Sequence, residues 1–364
     1  MSLTLVSALY DLAGRERNPD RRTVATYLEA GEFLFALDAD LVVFADSELA
    51  PAIEARRRDA GLAARTRVVT LPLEELAAHA LADRIAAARR RHPLRNGNPA
   101  KDTPLYAVLQ WAKFELVTHA ARLDPFTATH LAWIDLGLPA RPHPDDRVFE
   151  RPPDRVRLLM MRPFAAAELA DERDYYAYLR GHVAAGYVSG RRRRMLRLCG
   201  LFAEEARASL SAGFAPSEEQ LLPVLSEREP ALFEFHHGDY GHILSNYERL
   251  RGGGENLLFQ LRVARDAGLQ ARGLEICQAL IASHRDGIFE CPSALLAELL
   301  DECFLAAWHG GGEDRALAAE VACVYAERVR ADSRFREVFL RDEVRVRSNF
   351  DLLGGAPWGA TVAG

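Results

Sequence analysis

Short apolar runs alternate with segments of helical period over the first 165 residues. LTLVSALY (3–10), DLVVFAD (40–46), TRVVTLPL (66–73), HLAWID (130–135) and RVRLLMM (155–161) are strand-length and rich in β-branched and aliphatic residues. Between them, residues 21–36 read as helix, and residues 104–123 place Leu105, Leu109, Ala112 and Leu116 on one stripe. Such alternation predicts an α/β sheet flanked by helices. Residues 166–250 continue with a helix, a short VAAGYVSG segment, a basic helix and FHHGDYGHILSNY. Gly186 and Gly190 around Tyr187–Ser189 predict a tight turn, with Arg191–Arg194 opening the next helix. SEEQ (217–220) has the spacing of a capping box. Past the GGG at 252–254 the pattern becomes helical to about residue 342, an all-helical C-terminal appendage. The expected division is a domain over 1–250, a helical region over 255–345 and a tail over 346–364.

Composition narrows the class. With 364 residues, 49% apolar and 27% charged, the chain reads as an ordinary globular protein. No apolar run reaches the roughly 18–20 residues that cross a bilayer. MSLTLVSALYDLAGRERN lacks an early basic region, so no signal peptide is expected. Five cysteines without CxxC spacing predict reduced thiols and a cytoplasmic protein. A net charge of −6 argues against nucleic acid as a partner. Of 46 basic side chains only Lys101 and Lys113 are lysines. A chain that uses arginine almost everywhere could keep lysine where a compact ammonium is needed.

The candidate chemistry gathers at predicted strand ends, where open α/β sheets bind ligands. Asp46 and Asp135 each close a strand, and Asp11 to Arg17 form the loop after the first. Acids there could hold a cation that bridges phosphates, and Arg15 or Arg17 could neutralise them. Alternatively each Asp caps a turn or helix, with Ser47 capping the helix after Asp46. Tyr106, Gln110 and Lys113 share one helix face, which could bind a sugar or phosphate or simply be solvated. His236, His237, Asp239 and His242 lie within seven residues, with Asp239 the favoured site residue and His237 next. No GxSxG, P-loop or GxGxxG is present, so hydrolase and dehydrogenase readings lack their minimum motif.

YDLAGRERN, LVVFAD, KDTPLYAVLQWAKFEL, DPFTATHLAWIDLG and GDYGHILSNY occur in the order of the HtrL/YibB family, which this chain resembles over roughly residues 3–250. That bacterial family is similar to glycosyltransferases of the GT-A type. The resemblance implies a GT-A-like, Rossmann-type mixed sheet that binds a nucleoside-diphosphate sugar and transfers the sugar to a glycan or small-molecule acceptor. WID would take the place of the acidic metal motif, with Asp135 at the metal and pyrophosphate. Gly137 stands where a second acid is expected. Asp239 or His237 would complete a Mn²⁺ or Mg²⁺ site with Asp135, or Arg and Lys would replace the metal. Asp11, Arg15, Arg17, Asp46, Lys101, Gln110, Lys113 and Trp133 would hold the donor. Asp135, Asp239 and Glu219 would be catalytic, with Glu219 (or its neighbour Glu218) as base on the acceptor side. The acceptor would approach from 186–190 and 217–220, and the tail helices could form a homodimer. The alternatives are a non-catalytic sugar- or nucleotide-binding protein with a degenerate site, and a nucleotidyltransferase. The latter wants a glycine-rich loop, and DLAGRERN has one glycine.

Overall fold

The computed structural model describes residues 2–17, 20–98, 101–310 and 314–341; the expected 346–364 tail lies outside them. Seven strands form one mixed sheet: β1 (Leu3–Leu9), β2 (Asp40–Ala45), β3 (Thr66–Thr70), β4 (His130–Ile134), β5 (Val156–Met160), β6 (Val183–Arg191) and β7 (Phe233–His237), in the order β3-β2-β1-β4-β6-β5-β7. β1 is parallel to β2 and β4, and β2 to β3, so the ends of β1, β2 and β4 share one edge. β6 runs antiparallel to β4, pairing Ile134 with Tyr187. Every residue of β4 is buried. That explains its near-continuous apolar run, the signature of a strand covered on both faces.

The VAAGYVSG segment is strand rather than turn, a correction to the expectation from its glycines. Gly190 is there for close approach: a Cβ would fall 2.9 Å from the Arg155 carbonyl oxygen beside β5. Ser47 also departs from expectation. The Ala50–Asp59 helix begins after Leu49 without a side-chain cap, and the Asp46 carbonyl accepts the Leu49 N–H instead. By contrast the Pro104–Leu123 helix matches its sequence signals. Thr103 accepts the Tyr106 N–H at 3.2 Å and Pro104 takes the first turn, where its missing N–H costs nothing.

The chain divides into two units, residues 1–159 with 166–235, and residues 160–165 with 236–364. The His236–Tyr247 stretch, read in sequence with the first domain, thus belongs to the second. Among the described residues the second unit holds five helices, from Gly254–Asp266 to Ser333–Arg341. Leu257, Leu261, Ile276, Leu280, Leu300, Phe304 and Tyr325 are buried in its core. Its cysteines, like Cys199 of the first unit, are free thiols.

In the first unit, Arg57 is fully buried and organises the connection between the Glu32–Ala36 helix and β2. Its guanidinium donates to the carbonyls of Phe35 (3.1 Å), Leu37 (2.8 Å) and Ala39 (2.8 Å) and to Thr66 Oγ1 (2.7 Å). Arg57→Met removes the donor for three carbonyls, and an unmet buried acceptor costs about 1–3 kcal/mol. Urea denaturation is expected to show a loss of about 3 kcal/mol, larger than for any exposed arginine.

Candidate functional site

Two of the parallel strand ends carry polar clusters, and the one at β4 is the more deeply built. Asp135 directly follows β4, and its N–H donates to the Gly186 carbonyl at 2.8 Å, extending the β4–β6 ladder by one residue. No helix follows; the Leu138 N–H returns to the Asp135 carbonyl in a turn. The carboxylate is therefore not a helix cap. Its Oδ1 accepts the Trp133 indole N–H at 2.7 Å and lies 3.0 Å from Lys113 Nζ. The same Nζ lies 2.8 Å from Glu218 Oε1, and 5.7 Å from the centre of the Trp133 ring.

Lys113 is buried in the middle of the Pro104–Leu123 helix, so the Tyr106–Gln110–Lys113 face is not a solvated one. Burial alone would lower its pKa. Asp135 and Glu218 outweigh that and hold the ammonium charged, well above the ordinary lysine range. Tyr106 sits beside this group, its phenol raised by burial. Lys101 and Arg21 lie over the Tyr106 ring at 5.6 Å and 5.5 Å, so both lysines of the chain belong to one site.

The Glu218–Arg228 helix supplies the other half. Its start is positioned by Trp111, which donates to the Pro216 carbonyl at 2.8 Å, and by Gln220 Oε1, which accepts the Ser217 N–H at 2.9 Å as the SEEQ spacing predicts. The two consecutive acids then diverge in role. Glu218 is 2% exposed and neutralised by Lys113, with its Oε2 unpartnered. Glu219 is half-buried and accepts the Ala185 N–H on β6 at 3.2 Å. Burial, then repulsion from Glu218, pushes its pKa up to about 7, against the pull of that N–H and the two lysines. Asp135 and Glu219 are thus tied to adjacent backbone groups of one strand, the Gly186 carbonyl and the Ala185 N–H. Pro223 has no N–H to offer the Glu219 carbonyl four residues back, so the helix is loosened at this carboxylate.

At the ends of β1 and β2 the arginine is already engaged. Arg15 makes a two-pronged pair with Asp46 (2.7 and 2.8 Å) and reaches Glu74 at 3.1 Å. Hydrogen bonding to Asp46 raises its pKa, and its own bond lowers that of Glu74. Asp11 caps the Leu12–Glu16 helix through the Gly14 N–H at 2.8 Å, and Arg17 closes it in the left-handed conformation at φ 49°. Arg15 and Asp46 come together as expected of a strand-end cluster, but each satisfies the other.

Asp239 and His237 lie in the second unit with local partners. Asp239 accepts the Gly241 N–H and pairs with His242 Nδ1, each at 2.8 Å, and its side chain is 51% exposed. His237 is buried, bonded to Gln260 at 3.0 Å, and burial lowers its pKa toward the neutral imidazole. Among the described residues no three His, Cys, Asp or Glu side chains gather as a metal site. At Asp135 the place a cation would take beside Oδ1 is held by Lys113. A side chain at position 137 would be crowded, because a Cβ on Gly137 would lie 3.0 Å from the Tyr27 ring, which would have to give way. The donor set does not fit a resident divalent cation. Tyr27, Arg21 and Trp111 were not legible as site residues: aromatic and arginine positions on helices carry no motif.

No described helix is long and apolar enough to cross a membrane. No curated protein matches the chain. Among solved structures, mouse xyloside xylosyltransferase 1 in its apo form is similar at a TM-score of 0.38 and 11% identity, over 65% of this chain and 85% of that one. A family model described as "bacterial protein of unknown function (HtrL_YibB)" matches residues 1–248. The chain, with its WIDLG turn and its buried lysine behind it, belongs to the HtrL/YibB family.

Proposed function

We propose that the protein is a glycosyltransferase that moves a sugar from a nucleoside-diphosphate donor to a hydroxyl of a glycan or small-molecule acceptor. The observation that carries this reading is the buried Asp135–Lys113–Glu218 group beside Glu219, whose pKa is about 7, at the carboxyl end of β4. Sugar transfer breaks the bond between the anomeric carbon and the diphosphate oxygen and forms one to the acceptor oxygen. The leaving diphosphate gains negative charge, and a pre-placed ammonium in a dry site stabilises that charge without reorganising. The acceptor hydroxyl loses its proton as it attacks. Glu219 is half-buried, anchored and close to half-ionised at neutral pH, which suits it to receive that proton. Asp135, with 30% of its side chain exposed, marks the side from which the donor reaches the lysine.

A thermal-shift panel of UDP-, GDP- and dTDP-sugars tests the donor. A donor at a hundred times its Kd is expected to stabilise the fold by roughly 2.7 kcal/mol. A shift for one nucleotide, with release of its nucleoside diphosphate on incubation with acceptor mixtures, supports transfer. A shift without turnover would favour the non-catalytic binding protein, and no shift with any donor would sink both.

A further inference from the structure

We infer that Lys113 is a built-in replacement for the divalent cation, so that this site handles a diphosphate without a resident metal. The inference rests on the reading of the site as one for a nucleoside-diphosphate sugar, and three independent observations bear on it. First, one nitrogen bridges both carboxylates that face the β4 end: Nζ is 3.0 Å from Asp135 Oδ1 and 2.8 Å from Glu218 Oε1. A hard cation holding diphosphate through one or two carboxylates would need these same oxygens. Second, the ammonium is locked rather than passing: it is buried in mid-helix, lies over the Trp133 ring, and shares Oδ1 with the Trp133 indole N–H. Third, the WIDLG turn carries glycine at 137, and the Tyr27 ring crowds that position, so an acid there would have to displace the ring. Against the two carboxylates the ammonium leaves the group with one net negative charge, where a divalent cation would leave it neutral. Lys101, over the Tyr106 ring, supplies further positive charge beside it, while Arg21 on the same ring is paired with Glu16 at 3.0 Å.

Lysine can do this where arginine cannot. A point-like ammonium fits between two carboxylates and an indole face, whereas a planar guanidinium demands a flat, two-pronged partner. That accounts for a lysine at this position in a chain with 46 basic side chains and two lysines.

Equilibrium dialysis with MnCl₂ on the wild type and on Lys113→Ala decides the matter and does not depend on turnover. Wild type is expected to hold no stoichiometric Mn²⁺, alone or with UDP or GDP beyond what the nucleotide binds by itself. Lys113→Ala leaves Asp135 and Glu218 facing one another without a cation, so that variant is expected to gain a Mn²⁺ site. Stoichiometric Mn²⁺ on the wild type would overturn the inference, whatever the variant does. Circular dichroism reports whether the variant is folded, and the wild-type result stands alone if it is not. A parallel thermal-shift series separates the two ideas. A donor shift unchanged by EDTA supports both. A donor shift abolished by EDTA keeps glycosyl transfer and removes the lysine-for-metal assignment. Absence of any donor shift, with no Mn²⁺ bound, removes glycosyl transfer and leaves Lys113 as the internal counter-ion of Asp135 and Glu218.

Discussion

Glu219→Gln is expected to abolish most turnover and at the same time to stabilise the protein above neutral pH. Both effects come from one feature: a carboxyl group held in a place that disfavours its charge. Burial and Glu218 raise its pKa to about 7 from an ordinary 4.5. In the folded state it therefore keeps a proton that the unfolded chain has released. The sign of the linkage follows. Glu219's stabilising share is complete below pH about 4.5, falls as pH rises, and is gone once pH passes about 7. Glutamine cannot ionise and can still accept the Ala185 N–H. Denaturation midpoints should therefore decline with pH in the wild type between those limits and stay flatter in the variant. At pH 8 the gain is on the order of 2 kcal/mol, allowing for partial solvent screening of a half-buried group. Turnover should fall by about 10²–10⁴, the usual worth of a positioned general base. Wild-type kcat/KM should rise with pH through about 7, and residual activity of the variant should lack that limb. A variant that keeps the limb would remove Glu219 from the reaction.

Lys113→Met is expected to be damaging in a different way, costing both stability and turnover. Removing one partner of a buried ion pair leaves the other uncompensated, at about 3–5 kcal/mol. Here two carboxylates lose the same partner, and Glu218 is 2% exposed with no other cation bonded to it among the described residues. The transfer step loses the charge that meets the leaving diphosphate, a loss of about 10²–10³ in kcat by analogy with deleting one stabilising donor. The double variant Lys113→Met/Glu218→Leu separates the effects. Replacing buried charges by apolar groups of similar volume is often neutral, so urea denaturation should show much of the stability restored. Turnover should not return. If it does, Lys113 only holds the fold together and the diphosphate is met elsewhere.

What could be read from the chain and what could not follow a physical division. Local patterns were legible. The apolar runs 3–10, 40–46, 130–135 and 155–161 contain strands buried along nearly their whole length, which must be apolar throughout, whereas β3 within 66–73 is a partly exposed edge strand marked by its β-branched residues. The SEEQ spacing marked a helix start because caps act within three or four residues. Asp135 stood out because an acid ended an apolar strand with no helix behind it to cap, and the structure shows that no helix follows it. The scarcity of lysine pointed to Lys113 and Lys101 before any contact was known.

Long-range pairing was not legible. Gly186 and Gly190 read as a turn because glycine signals backbone freedom but not the reason for it. Only the sheet shows that Gly190 gives way to the Arg155 carbonyl. Gln110 and Lys113 could be read as a sugar- or phosphate-binding face or as a solvated one, but not as a buried ion group, because the Glu218 partner of Lys113 lies 105 residues away, on a helix whose acids had a sufficient local explanation as a cap. Arg15 read as a phosphate ligand, yet Asp46 and Glu74 already surround it. The sequence alone determined five of the seven strands, where their acids stand and that lysine is rare. The tertiary structure alone decided that one lysine bridges the strand-end acid Asp135 and the helix acid Glu218, and that Glu219 beside them is left protonatable near neutrality. Periodicity and capping act over a few residues of chain, whereas desolvation and Coulomb pairing depend on distances in space that only the folded sheet sets.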